Sequence, residues 1–155
     1  MTEPKTNEPG LDAGSSVSIS DRELAIVRAG YEMWNAGDIS GMAERYFHED
    51  IEYHNSPEWP GQSVYRGSEA VARFLKEEVA DVIGLDPVEI RRTQVIGEEI
   101  VISLEASTRV AQSDLDFGSG AIFHVARVQD GRVIRVRVYL DERQALEAAR
   151  EAADD

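Results

Sequence analysis

The sequence of 155 residues contains no cysteine, which excludes disulfide bonds, thiolate metal sites and thiol nucleophiles. No apolar run approaches the roughly 20 residues that a membrane-spanning helix needs. Residues 1–14 lack the basic region and apolar stretch of a secretory signal. We therefore expect a cytoplasmic protein that has no membrane partner.

Basic residues are scarce relative to acidic ones. Sixteen Lys and Arg stand against 30 Asp and Glu, so the formal net charge at pH 7 is −14. A field of this sign repels nucleic acid and anionic lipid, because both are bound through basic surfaces. We expect no nucleic-acid partner. The length suits one domain whose core is large enough to fold without cross-links.

The N-terminal segment has few apolar residues. Residues 1–17 are rich in Pro, Gly, Ser, Thr and Glu, which predicts a disordered tail. Ser20 and Glu23 form a capping-box pattern that predicts the start of a helix reaching about Ala36. Residues 18–151 are predicted to form a single domain, followed by a frayed C-terminus at 152–155.

The rest of the chain predicts two more helices before a series of strands. A short helix follows Asp38, and a third begins at Ser68. Alternating apolar residues predict a strand from Asp50, and further strands over 88–96, 100–110, 120–128 and 132–140. A closing helix is predicted over 141–151. This order lacks βαβ alternation, so it favours an α+β fold with one curved antiparallel sheet.

Four stretches of the chain resemble one superfamily. They cover residues 34–38, 47–53, 65–71 and 124–133, the last continuing to 139–141. Their order and spacing are similar to those of the SnoaL-like branch of the nuclear transport factor 2-like, or ketosteroid-isomerase-like, superfamily. The resemblance extends from about Ser20 to Ala149. It implies a curved sheet wrapped around the N-terminal helices, leaving a conical pocket. Members include steroid isomerases, polyketide cyclases, epoxide hydrolases and binding proteins without catalytic activity.

Strand alternation predicts which polar side chains face the pocket. Tyr53 and Asn55 fall on the inward face of the first strand, and His124 falls among apolar residues on the inward face of strand 120–128. Tyr53 and Asn55 either orient a substrate or a water, or satisfy buried backbone groups. His124 either performs acid–base chemistry, since its usual pKa is near 6.5, or is an inert core residue.

The resemblance also implies which family reactions this chain lacks. Epoxide hydrolases of the superfamily carry a Tyr and an Asn at the spacing of Tyr53 and Asn55, with a carboxylate base on the last strand. The matching position is Val138, which accepts no proton, so epoxide hydrolysis is not expected. Ketosteroid isomerases place their base near Asn55 and their oxyanion-hole groups near Gly30 and His124. Because these positions are altered, a strict steroid isomerase is not expected either.

The remaining candidates are pocket walls and groups predicted to face outward. A ligand pocket is mostly lined by aromatic and aliphatic side chains, and the candidates here are Tyr31, Trp34, Trp59, Phe74, Phe117 and Val138. Alternation turns Glu105 and Arg109 outward, unless a bulge inverts the strand. His48 and His54 lack a third ligand at sensible spacing, so we predict no metal and no other cofactor.

The outward face of the sheet is predicted to carry both apolar and basic residues. Phe123, Val125 and Tyr139 make it more apolar than a solvent face requires, so we predict a symmetric homodimer through the sheet, as the resemblance also implies. Local carboxylates are predicted to pair with four arginines of the last two strands, namely Arg127, Arg132, Arg135 and Arg137.

Two functions remain open from the sequence. The first is a pocket protein that binds a hydrophobic, partly oxygenated small molecule. If it is an enzyme, its activity is a cofactor-independent isomerase- or cyclase-like acid–base reaction carried by His124, Tyr53 and Asn55. The alternative is a ligand-binding or dimeric interaction module of the same fold without catalysis.

Overall fold

The computed structural model describes residues 21–57, 59, 62–79, 88–105 and 121–154. The predicted tail, the Ser20 cap, Arg109 and Phe117 lie outside this part of the chain. The described residues form four α-helices and six strands, which are α1 (Asp21–Asn35), α2 (Ile39–Tyr46), β1 (Phe47–His54), β2 (Val64–Arg66), α3 (Ser68–Phe74), β3 (Glu89–Ile96), β4 (Glu99–Glu105), β5 (Ala121–Gln129), β6 (Arg132–Tyr139) and α4 (Glu142–Asp154).

Residues next to the helix ends determine where α1 ends and where α2 begins. Gly37 follows α1 with a φ of +80°, a left-handed conformation that glycine adopts without steric cost. Asp38 then caps α2, its carboxylate accepting a hydrogen bond from the Gly41 N–H at 2.9 Å. α3 continues into a single π-helical turn, Leu75–Val79. None of the helices that can be described has both the length and the apolar composition to span a membrane.

The six strands form one curved sheet in the order β2-β1-β6-β5-β4-β3. Four neighbouring pairs are antiparallel, as predicted, but β1 and β6 are parallel, so the sheet is mixed. Alternation along a strand identifies its faces but not its partner, and β1 and β6 are too far apart in sequence for a hairpin to set their direction. β2 has only three residues, too few for a periodic signal.

Tight turns with positive φ angles join two of the antiparallel strand pairs. The connection from β3 to β4 places Gly97 at a φ of +62°. The connection from β5 to β6 places Asp130 at +56° and Gly131 at +78°. Positive φ at both central residues is the type I′ geometry for which the Asp-Gly pair is selected. α4 continues to Asp154, three residues past its predicted end.

The two faces of the sheet are covered differently. The inner face packs on α1, α2 and α3 and forms most of the core, including Ile51, Ile100 and Ile102, each 0% exposed. On the outer face, Val101 and Val125 pack against Ala145 and Ala149 of α4.

The packing of α4 on the outer face accounts for the apolar residues that the sequence analysis had assigned to a dimer surface. Phe123, Val125 and Tyr139 were expected to need a partner subunit. They pack instead in the cluster formed with α4 of the same chain. An Ala-rich helix predicted from composition gives no indication of which sheet face it covers, so the sequence could not assign these residues to it.

Candidate functional site

A cavity of about 140 Å³ lies between the inner face of the sheet and the helices α1 and α2. Side chains from both helices, from β1, β4, β5 and β6, and from the π-helical turn form its wall. Most of them are aliphatic or aromatic, and none of the described lining residues is Asp, Glu, Lys or Arg. Such a cavity is typical of a site for an apolar small molecule.

The structure places most predicted site residues around this cavity. The lining includes Tyr31, Trp34, Tyr53, Asn55, Trp59, His124 and Val138. Phe74, predicted as a wall, does not line it, because its ring lies behind those of Tyr53 and Trp59, each with a centroid 5.6 Å from that of Phe74. On its outer side, the Phe74 ring stacks on the ring of Tyr65, with the two centroids 4.3 Å apart. Phe74 therefore supports the aromatic wall from behind.

Tyr31 and His124 form the central polar pair of the cavity. The Tyr31 hydroxyl on α1 lies 2.6 Å from the His124 Nδ1 on β5, and the two rings are stacked with centroids 5.8 Å apart. Tyr53 meets the same imidazole edge-on at 6.5 Å. The sequence predicted Tyr31 only as a wall. Helical periodicity turned it inward, but which strand its hydroxyl reaches depends on how α1 packs on the sheet.

Burial controls the protonation of all three groups. It lowers the pKa of His124 from 6.5 to about 4, because the charged imidazolium loses its hydration there. Burial also raises the pKa of both Tyr31 and Tyr53. All three side chains are therefore neutral at neutral pH.

A neutral Tyr31–His124 pair always keeps one hydrogen for a ligand. If the Tyr31 O–H donates to Nδ1, the imidazole hydrogen is on Nε2; if Nδ1–H donates to the tyrosine oxygen, the phenol O–H remains free. In both tautomers one donor and one acceptor are left over. No described residue hydrogen-bonds to the His124 Nε2. The pair can therefore bind an oxygen atom of a ligand without becoming charged.

Tyr53 and Asn55 have different roles in the structure. The Asn55 side-chain amide donates to the Gln62 carbonyl at 2.8 Å, and its backbone N–H donates to the Ser63 carbonyl at 2.8 Å. These bonds tie the end of β1 to the segment before β2, which favours the structural reading of Asn55. The Tyr53 hydroxyl makes no hydrogen bond to any residue in the described ranges.

The outward groups lie apart from the cavity. Glu105 is exposed and lies 3.1 Å from Arg91 on the outer face, so its predicted orientation is confirmed. Three of the four predicted arginines surround one carboxylate, that of Glu99, through Arg127, Arg135 and Arg137.

Arg132 differs from the other three arginines. Its guanidinium donates to the backbone carbonyls of Glu44 and Phe47. In the part of the chain that the structure covers, no three His, Asp or Glu side chains are grouped as a metal site would require.

Glu99 is the residue of this group that sequence reasoning missed. Its side chain is 0% exposed, and it accepts hydrogen bonds from Arg135 at 3.0 Å and Arg137 at 3.2 Å as well as from Arg127. The signal lies in the register, because Glu99 pairs with Arg127 across β4 and β5, and Arg127 pairs with Arg135 across β5 and β6. That register is not visible before the strands are paired.

Solved structures share this fold. TerC, crystallised with polyporic acid, has a TM-score of 0.60 at 19% identity, covering 83% of this chain and 98% of its own. A Sinorhizobium meliloti protein that carries the name polyketide cyclase gives 0.59 at 15% identity, over 81% and 99%. One from Kribbella flavida DSM 17836, named as a ketosteroid isomerase, gives 0.57 at 18% identity, over 77% and 78%. At these identities the likeness shows the fold alone.

Comparison with protein families identifies the chain more specifically. A comparison with curated protein sequences finds no match. The model of the SnoaL-like domain matches residues 27–136, which include α1 from its second turn, the whole cavity wall on β1, β4 and β5, and the Tyr31–His124 pair. The match confirms the resemblance read from the four sequence stretches. This chain is a member of the SnoaL-like domain family.

Proposed function

We propose that the protein binds a hydrophobic, partly oxygenated small molecule in this cavity, with the Tyr31–His124 pair hydrogen-bonded to one oxygen of the ligand. The observation that carries the proposal is the 2.6 Å contact between these two side chains within an apolar cavity wall. A neutral pair with one free donor and one free acceptor suits an oxygen on an otherwise apolar molecule.

The chemistry that we propose for the pair is stabilisation of an oxygen that gains negative charge. An imidazole whose pKa is about 4 is a weak base, so His124 is poorly suited to removing a proton from carbon. A hydrogen-bond donor in an apolar cavity stabilises developing charge more strongly than it would in water. Isomerase- or cyclase-like reactions pass through such enolate oxygens. Relatives of the fold that are named as a polyketide cyclase and a ketosteroid isomerase support this direction.

The alternative function is ligand binding, or an interaction module, without catalysis. It is favoured by the lack of a base, since none of the described cavity residues carries a carboxylate. The cross-strand neighbour of His124 is Val138, which accepts no proton. The two functions differ in whether a bound ligand is converted. Analysis of each bound compound by mass spectrometry or NMR after incubation with the protein distinguishes them.

The test of ligand binding is a thermal-shift screen with steroids, aromatic polyketides, terpenes and terpene epoxides. Ligands that bind the native state raise the melting temperature. We expect oxygenated members to do so with the unmodified protein and to lose about tenfold in affinity with His124→Gln, because a buried ligand oxygen loses its partner. Tyr46→Phe, on the same cavity wall, is the matched control. Equal affinity of His124→Gln and the unmodified protein for every hit would overturn the role of His124.

We further propose that the protein is a cytoplasmic homodimer that associates through the sheet and does not bind nucleic acid. The net charge of −14 supports the last point. The outer face keeps accessible groups on β1 and β2, where the side chains of Glu52 and Arg66 are 39% and 70% exposed. Sedimentation at tens of micromolar tests the dimer, and a single 17 kDa species would contradict it.

A further inference from the structure

A cluster of arginines on the outer face of the sheet carries more positive charge than the carboxylate at its centre balances. Arg127 on β5 and Arg135 and Arg137 on β6 surround the side chain of Glu99 on β4. We infer that these three arginines form a binding site for a phosphate group, either as the free ion or as a monoester. Alternation places them on the opposite side of the sheet from the cavity, so the inference is independent of the proposed function.

The strand register places the three guanidinium groups next to one another. Arg127 and Arg135 are paired across β5 and β6, and Arg137 follows Arg135 by two positions on the same face. Nη2 of Arg135 and Nη2 of Arg137 lie 3.0 and 3.2 Å from one oxygen of Glu99, and Nε of Arg127 contacts the other oxygen. Like charges at paired positions destabilise a sheet. Glu99 supplies one negative charge against three positive ones.

Two other carboxylates lie near the cluster without completing its neutralisation. Glu98 lies 3.8 Å from Arg127, but its side chain is 57% exposed, so water screens the interaction. Glu52 is next to β6 in the sheet, but its two oxygens contact His54 and Arg66. At about 0.1 M salt, charges more than about 10 Å away are largely screened. The local excess of positive charge therefore determines how a small anion binds here, although the whole chain is acidic.

The cluster has hydrogen-bond donors that a ligand can reach. The side chains of Arg127, Arg135 and Arg137 are 29%, 28% and 20% exposed. Nη1 of Arg135 and Nη1 of Arg137 contact no acceptor among the described residues. Unlike the Nε atoms of the same two side chains, they are not buried. Because both guanidinium groups contact the same oxygen of Glu99, they are close enough for one phosphate group to accept hydrogen bonds from both.

The charge of the cluster selects a doubly charged oxyanion. Three guanidinium groups and one carboxylate leave two positive charges unbalanced. A phosphate dianion neutralises both and presents at least three acceptor oxygens to the guanidinium N–H groups. A monocarboxylate such as acetate presents two oxygens and leaves one charge unbalanced, so it should bind more weakly.

Isothermal titration calorimetry at a constant ionic strength of about 0.1 M tests the site. The probes are inorganic phosphate, phenyl phosphate and acetate. Phosphate should bind saturably with one ion per chain, and acetate at least about tenfold more weakly. The tighter of phosphate and phenyl phosphate identifies the free ion or the monoester as the ligand. No saturable binding of either phosphate probe, or equally tight binding of acetate, would overturn the inference. Binding is measured directly because phosphate also raises melting temperatures by exclusion from protein surfaces.

Arg135→Gln tests the cluster, with Arg91→Gln as the matched control. Arg135→Gln should weaken phosphate binding by at least about tenfold, because it removes one charge and one fork of donors. Arg91 lies on β3, is 58% exposed and pairs with Glu89 and Glu105 outside the cluster, so its substitution should leave phosphate affinity unchanged. Equal affinities of Arg135→Gln and the unmodified protein, or equal losses in both variants, would contradict the inference.

Glu98→Gln tests the site without disturbing the hydrogen bonds inside the cluster, and it serves if Arg135→Gln fails to fold. Removing the carboxylate beside Arg127 should strengthen phosphate binding by about two- to threefold, because that carboxylate repels the anion. Glu105→Gln removes the same charge elsewhere on the outer face and should change phosphate affinity less. Equal gains in the two variants, or no gain in Glu98→Gln, would count against a site at the three arginines.

Discussion

The Tyr31 hydroxyl lies 2.6 Å from Nδ1 of His124, although 93 positions of the chain separate the two residues. The contact joins the first helix to β5 and places a polar pair in the apolar wall of the cavity. It links the stability of the folded chain to the properties of the site, because removing the polar group of one residue leaves a buried polar atom of the other unpaired.

Tyr31→Phe should therefore lower both stability and ligand affinity. We expect the free energy of unfolding to fall by about 1 kcal/mol, since the His124 Nδ1 loses its partner. Affinity for an oxygenated ligand should fall by about five- to tenfold. Denaturant titration and calorimetry measure the two effects. Tyr46→Phe removes the hydroxyl of another lining residue without breaking a described hydrogen bond, and it should change neither quantity appreciably. Equal stability and equal ligand affinity of Tyr31→Phe and Tyr46→Phe would contradict the prediction.

Stability should depend on pH through His124. Its pKa is about 4 in the folded chain and near 6.5 when unfolded, so the unfolded state binds more protons between these values. The free energy of unfolding should be highest above pH 6.5, fall as the pH is lowered through this window, and receive no further contribution from His124 below pH 4. The loss is at most about 3 kcal/mol.

The His124→Gln variant isolates this contribution. Because glutamine does not titrate, the difference between the pH profiles of the two proteins should follow His124 alone. Chemical denaturation at pH 4.5, 5.5, 6.5 and 7.5 measures both profiles. Parallel profiles would show that His124 keeps its ordinary pKa in the folded protein.

Glu99→Gln should be strongly destabilising, whereas Glu98→Gln should not. The Glu99 side chain is 0% exposed among three guanidinium groups, and Arg137 also donates to the Ala148 carbonyl of α4. Removing the buried carboxylate leaves these charges uncompensated and costs about 3 kcal/mol. Glu98 is 57% exposed and lies 3.8 Å from Arg127, so its substitution should change stability by less than about 0.5 kcal/mol. A similar melting temperature for both variants would refute this assignment.

Val138→Asp should change the chemistry of the cavity. Val138 is the cross-strand neighbour of His124, at a Cβ separation of about 5 Å. A carboxylate there should raise the pKa of His124 above 4 by attraction to the imidazolium and supply the base that epoxide hydrolysis needs. The unmodified protein should leave terpene epoxides unhydrolysed, while the variant should show trace turnover by gas chromatography. Robust turnover by the unmodified protein would mean that Val138 does not occupy the position of the base.

Local chemistry in the sequence determined much of the fold. Gly37 and Asp38 separate α1 from α2, and Asp130 and Gly131 form the hairpin between β5 and β6, because these turns depend on residues adjacent in the chain. Alternation was also sufficient to place His124, Tyr53 and Val138 on the inner face, since side-chain direction in a strand follows from parity. Family membership could be predicted for the same reason, because the resemblance depends on the order of these local sequence patterns along the chain.

Only the tertiary structure decided which of these groups meet. The parallel pairing of β1 with β6, the packing of α4 on the outer face and the burial of Glu99 all depend on long-range contacts that leave no periodic signal. The same is true of Tyr31 and His124, whose contact depends on the distance between α1 and β5. The pKa of His124 follows from that packing, because desolvation depends on what surrounds the imidazole and not on its neighbours in sequence.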